Sequence, residues 1–248
     1  MTKFKHYIVT RFNVGLYSLL HGDPEEWFQE RVKVFKEFTL PSIQKQTCQN
    51  FEWLLLFDAQ TPFNHVYEIR KVIKDFPNTY SLFLQLPKAW IYKKYSETNS
   101  TLIDYTPLIE HIVPQSKYSL QTRLDNDDAL MPDTIAKIQE FVLTTKDHYV
   151  IDIRHGYILD SVNKRAFKAV HPLGSPFLSL FQLNNEDFRA VYCMIHKQIT
   201  RRCFARTIND RLWVMHVHGN NVSNRVFDWM AQERVPYDDI LKLITLKQ

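Results

Sequence analysis

Apolar positions along this chain come in two textures: short unbroken runs, and longer stretches where they recur every three or four residues among charges. Residues 6–11 (HYIVTR) are β-branched and aromatic and predict a buried first strand. Residues 24–46 carry Trp27, Val32, Val34, Phe35, Phe38 and Ile43 and predict a helix, with Asp23 as N-cap and Pro24 at its first position. Pro41 is expected to kink or divide it. Residues 52–57 (EWLLLF) predict a buried parallel strand that delivers Asp58 at its carboxyl end. The alternation continues with a helix over 63–75, a strand over 80–86, a helix over 102–112 and a strand over 118–124. A helix capped by Asp133 and reaching about 144 follows, then a strand over 149–153.

Strands alternating with helices predict a mostly parallel sheet covered on both faces, with ligands bound beyond the carboxyl ends of its strands. Asp58 and Asp125 both fall at such ends. Past residue 154 the alternation is lost. Residues 157–159 and 167–170, joined by a polar turn at Asn163, predict a hairpin and hence a smaller antiparallel part. Residues 212–221 (LWVMHVHGNN) predict a further strand that places His216 and His218 on one face. The longest predicted loops, 87–101 with Trp90, Tyr92 and Tyr95, and 170–185, are candidate lids.

Length and composition narrow the class. The 248 residues suit a single α/β domain, divided into a ligand-binding half (1–150) and a second half (151–248). With 45% hydrophobic residues and five glycines, disordered and collagen-like classes are excluded. The net charge of +4 suits an anionic ligand but lacks the dense basic stripe of a nucleic-acid binder. Positive charge gathers between Arg154 and Arg211, where ten Lys or Arg face four Asp or Glu; Lys164, Arg165, Lys168, Arg201, Arg202 and Arg206 are candidate phosphate contacts. Cys48, Cys193 and Cys203 have no C-x-x-C spacing, so neither a disulfide framework nor a zinc site is expected. Arg11 and Asn13 interrupt the first apolar stretch, which argues against a signal peptide or membrane span, and a cytoplasmic location is expected.

The most informative segment is TRLDNDDALMP, residues 122–132, with three carboxylates in four positions directly after a strand. Asp125 and Asp127 can present oxygens to Mn²⁺ or Mg²⁺ while the ion also holds two oxygens of a diphosphate. A solvated turn with a helix-capping aspartate is the plainer reading of a D-x-D by itself. The strand-end position, the preceding Arg123 and the earlier Asp58 favour the chemical one. A calcium loop is excluded, because Leu130 and Ala136 fill its glycine and twelfth positions.

The N-terminal block, PSIQKQT, FEWLLLFD and RLDNDDALMP together resemble the nucleotide-diphospho-sugar transferases of the GT-A fold over roughly residues 6–150. More narrowly, IVTRFN, WLLLFDAQTP, TRLDNDDAL, PFLSLFQ and VMHVHGNN make the chain similar to a bacterial rhamnosyltransferase family. The resemblance implies Asp125 and Asp127 at the metal and diphosphate, Asp58 at the nucleoside, Asp128 as an orienting neighbour, and Arg11 and Arg123 at the nucleotide. It also implies a nucleoside diphosphate sugar as donor and a saccharide or lipid-linked acceptor. The basic second half is compatible with peripheral contact with an anionic membrane.

An inverting transferase needs a base for the acceptor hydroxyl, and Glu186 and Asp187 are the sequence's candidates; capping a helix start is their alternative role. His218 is a candidate third metal ligand, because imidazole and carboxylate together suit Mn²⁺; an ordinary strand-end turn at Gly219 is the alternative. His155 and His196 are weaker candidates. Two other activities share these features: a non-catalytic nucleotide-sugar-binding protein, and a metal-dependent phosphoryl or nucleotidyl transferase. The absence of a G-x-x-x-x-G-K-[ST] loop argues against a P-loop enzyme.

Overall fold

The computed structural model describes residues 4–14, 23–76, 78–85, 103–143, 149–172, 174–193, 198, 200, 201, 203–219, 221 and 224–246. Its first half is a parallel block. Strands β1 (Phe4–Arg11), β2 (Glu52–Asp58), β3 (Thr79–Leu84) and β4 (Tyr118–Arg123) lie in the order β4-β1-β2-β3. Every residue of β2 is buried, which explains its unbroken apolar run: both faces of a central parallel strand are covered. Ile8, Trp53, Leu55 and Phe57 pack on one face with helices α1 (Pro24–Val34), α3 (Phe63–Val72) and α5 (Thr134–Leu143). Tyr7, Val9, Leu54 and Leu56 pack on the other with α4 (Thr106–Ile112).

The predicted 24–46 helix is continuous through its proline by an unexpected device. After α1 the backbone widens into a π-turn over Phe35–Thr39, in which the Leu40 amide donates to Phe35 O, before α2 (Leu40–Gln44) resumes. Pro41 falls in the first turn of α2, where the widened turn accommodates a residue with no amide to donate. Helix α4 starts later than the sequence suggests, with Pro107 in its first turn.

The second half adds strands to the same sheet. Strand β8 (Ser179–Leu183), inside a segment expected to be loop, pairs antiparallel with β4. The expected hairpin is present as β6 (Tyr149–Asp160) and β7 (Arg165–Val170), with β10 (Ala231–Val235) beyond it. One edge of β6 pairs first with β8 and then with β7, while β9 (Ala205–Val217) runs parallel along its other edge. β5 (Ala129–Leu130) joins the carboxylate segment to β9. Gly156 is fixed by packing: a Cβ there would sit 2.1 Å from the Trp213 ring, which stacks on Phe177 and donates to Ile153 O at 2.7 Å. A terminal helix that the periodicity reading did not place, α6 (Tyr237–Ile244), closes the fold. The 87–101 segment lies outside the described residues, and no helix among those described is long and apolar enough to cross a membrane.

Candidate functional site

The site forms where β1, β2, β4 and β9 end. Arg123 closes β4, and the Leu124 amide still donates to Val9 O at 3.1 Å. The chain then turns, with the Asp128 amide 3.3 Å from Asp125 O. Two contacts from other elements hold the turn. Asn126 Nδ2 donates to Phe12 O at 2.7 Å, and Thr39 Oγ1, on the π-turn, lies 2.9 Å from Asn126 O and 2.8 Å from Asp128 O. Widened helical turns are frequent at functional sites, and here the widening coincides with the residue that clamps the carboxylate segment.

The three carboxylates have three environments. Asp125 is the most open, its side chain 35% exposed; it accepts from Tyr192 OH at 3.1 Å and lies 3.7 Å from an Arg11 nitrogen. Asp127 is buried, and its Oδ2 receives Arg31 in an ion pair, His218 Nε2 at 3.2 Å and Asn221 Nδ2 at 3.2 Å. Burial opposes its charge, but the His218 hydrogen bond and the Arg31 guanidinium outweigh that and hold the carboxyl well below the usual carboxylate range. Asp128 accepts from the His216 amide at 2.9 Å and from Asn224 at 3.1 Å. Burial and the neighbouring charges of Asp127 and Asp125 push its carboxyl well above the ordinary value.

Around Asp125 stands a cationic wall. The guanidinium carbons of Arg11 and Arg123 lie 4.4 and 4.3 Å from the Tyr192 ring centroid. Arg123 is buried, and its Nε and one terminal nitrogen have no hydrogen-bond partner among the described residues. Buried guanidinium donors without acceptors leave room for a hydrogen-bond acceptor supplied from outside the chain.

Asp58 is brought to the neighbouring strand end, where its Oδ1 accepts from the Gln60 amide at 2.9 Å and its own amide donates to Asn13 Oδ1 at 3.0 Å. His216 and His218 do share a side, with ring centroids 5.1 Å apart. Of the two rings, that of His218 reaches a carboxylate, whereas His216 meets Asp128 through its backbone amide. His216 binds Ser161 Oγ at 2.8 Å, and burial, helped by His218, lowers its pKa to about 3.

Glu186 and Asp187 are not brought to this cluster. β8 runs opposite to β4, so Leu183 pairs with Tyr118 and the Asn184 amide donates to Lys117 O. The exposed turn that follows, with Asp187 N donating to Asn185 Oδ1 at 3.1 Å, is therefore at the amino end of β4. The six residues of β4 separate it from Asp125, roughly 15–20 Å at strand rise. No helix begins there among the described residues, so neither acidic side chain caps one. Arg165 and Lys168 are paired with Asp160 and Glu233, and Arg206 lies against Phe141 and Tyr149; Arg202 and His196 fall outside the described residues.

Arg31, Thr39, Tyr192, Asn221 and Asn224 complete the site unforeseen. Arg31 left a trace in the sequence, an arginine four residues from both Trp27 and Phe35 on an otherwise apolar stripe. Tyr192 left none, because only the return of the chain after β8 carries it across β4.

No group of three or more His, Cys, Asp or Glu is placed to hold a metal ion among the described residues. Asp127 Oδ2 and His218 Nε2 lie 3.2 Å apart and are bonded to each other, with Arg31 and Asn221 on the same oxygen, so an ion held between them would have to displace that hydrogen bond.

A parallel strand block thus carries a carboxylate and guanidinium cluster at its carboxyl edge. The family described as "Putative rhamnosyl transferase" matches residues 23–229, most of the chain, and the chain belongs to it. No curated protein matches the chain. Among solved structures it is similar to S. aureus TarS 1-349 (14% identity, TM-score 0.44, covering 86% of this chain and 60% of that one). It is also similar to S. aureus TarS (14% identity, TM-score 0.43, 88% and 37%). The chain thus spans three fifths or less of the length of these two structures.

Proposed function

We propose that this chain transfers a sugar, with rhamnose the candidate its family supplies, from a nucleoside diphosphate donor to a saccharide or lipid-linked acceptor. One observation carries the reading: Arg11, Arg31 and His218 converge on Asp125 and Asp127 at the carboxyl ends of parallel strands, with Arg123 on the Tyr192 ring that bonds Asp125. Such a cluster suits a ligand that brings both negative charge and a cation.

In this reading Asp127 and His218 hold Mn²⁺ or Mg²⁺, with Asp125 beside them. When bound, the ion neutralises charge on the departing diphosphate. Arg123 offers its unmatched donors to a phosphate oxygen, and Arg11 orients Asp125 and the phosphates from the end of β1. Asp58 receives the nucleoside at the end of β2. Because these donors are fixed before the ligand arrives, they stabilise the leaving group without reorganising during reaction.

The test is calorimetry of UDP, dTDP, GDP and ADP, with and without Mn²⁺, on the wild type and on Asp125→Ala/Asp127→Ala. Metal-dependent binding of one nucleotide, absent from the double variant, is expected. A folded wild type that binds none of them overturns the donor site. Product analysis then separates sugar transfer, which releases an intact nucleoside diphosphate, from nucleotidyl transfer, which releases pyrophosphate.

A further inference from the structure

Beside His218 lies a concavity of about 330 Å³, walled by α1, the turn joining β6 to β7, the end of β9 and α6. Arg31 and His218 line it and also contact Asp127, so it abuts the carboxylate cluster. Its volume is at the small end of the range for organic ligands. That is space for a sugar ring or two and too little for a folded partner's side.

The wall is chemically mixed. Trp27 contributes an aromatic surface, Glu37 a carboxylate, Lys164 an ammonium, and Ser161 and Tyr237 hydroxyls. A strongly anionic ligand meets Glu30 and Glu37 there, and a strongly cationic one meets Lys33 and Lys164. A pyranose satisfies both demands: its C–H face lies on an indole, and its hydroxyls donate to carboxylates and accept from ammonium groups.

Two features mark the wall as built. Lys164 has φ 52°, an uncommon conformation for a residue with a Cβ. The Asp160 carboxylate holds that turn by accepting from the Asn163 amide at 3.0 Å, and the Lys164 ammonium stands 5.1 Å from the Tyr237 ring centroid. Next to it Ser161 Oγ bonds both His216 Nε2, at 2.8 Å, and Tyr237 OH, at 2.9 Å. His216 Nδ1 is buried and has no hydrogen-bond partner among the described residues.

We infer that this cavity is the subsite for a pyranose ring of the acceptor saccharide, a proposal that rests on the sugar-transfer reading above. The probes are methyl glycosides of common hexoses and 6-deoxyhexoses, followed by saturation-transfer NMR on the full chain. At least one is expected to bind wild type and Asp125→Ala alike, and to bind Trp27→Ala and Lys164→Ala tenfold or more weakly. Lys164→Ala changes an exposed turn, so it keeps the test valid if Trp27→Ala folds poorly. Binding of the nucleoside diphosphates is measured in the same samples. If a diphosphate binds and no glycoside does, or if both wall variants bind the glycoside as wild type does, the subsite is wrong and the donor site stands. If glycosides bind but no diphosphate does, the donor reading fails instead.

Discussion

Arg31 and Asp127 meet as an ion pair across 96 positions of sequence, with side chains only 4% and 10% exposed. The pair ties α1 to the turn after β4, and so joins the helix that walls the cavity to the carboxylate proposed to hold the metal. Removing one partner from a buried pair leaves an uncompensated charge, which costs about 3–5 kcal/mol. Arg31→Met is therefore expected to destabilise the protein by that amount near neutral pH. The sign with pH follows from the depressed Asp127 carboxyl: its contribution is present above the ordinary carboxyl pKa and is lost as pH falls through the lower folded value. The gap between Arg31→Met and wild type, measured by urea unfolding, is expected to narrow in acid.

Asp128 has the opposite sign. Its raised carboxyl favours folding at low pH, and that contribution is lost as pH climbs from the ordinary carboxyl value through the folded one. Asp128→Asn keeps an oxygen for the His216 amide and for Asn224 but carries no charge. Thermal melts are expected to place the variant at or above wild type at pH 7, with a lead that grows from mildly acidic pH upward. A variant that matches wild type in acid and melts below it at pH 7 would show that the ionised form is needed.

Arg123 is buried with unmatched donors, so its partner is expected to arrive with the ligand. A hydrogen bond to a charged group contributes about 1.5–3 kcal/mol, or about ten- to a hundredfold in affinity. Arg123→Met is expected to weaken nucleoside diphosphate binding by that factor with little change in melting temperature. Unchanged affinity by calorimetry would remove Arg123 from the site.

Asp127→Ala is expected to lower turnover by about 10²–10³ or more, by analogy with the loss of one preorganised electrostatic contact. Steady-state release of nucleoside diphosphate, at matched metal and donor, measures it. Turnover close to wild type defeats the assignment.

Gly156→Ala tests the packing of β6 on β9. A methyl placed inside the Trp213 ring forces the strand or the indole to move, and overpacking of this kind costs about 1–3 kcal/mol. Chemical denaturation is expected to show that loss.

The alternation of apolar runs with amphipathic stretches was enough to read β1, β2, β3 and β4, their covering helices and the β6–β7 hairpin. Each of those elements is specified by which of its own faces must leave water. Strand ends were legible for the same reason, and they placed Asp58, Asp125 and Asp127 at the carboxyl edge of the parallel strands. His218 was legible as a polar residue two positions beyond His216 at the end of an apolar strand. Direction was not. Nothing local in the sequence says that β8 returns antiparallel to β4, yet that pairing takes Glu186 and Asp187 to the far end of the sheet and brings Tyr192 to Asp125. Nor could the chain's own periodicity show that Arg31, one residue on a helix face, is the counter-ion of a carboxylate 96 positions later. Periodicity reports burial, a property of each segment alone. The charges that meet inside the site are decided by long-range packing, which exists only once the sheet is assembled.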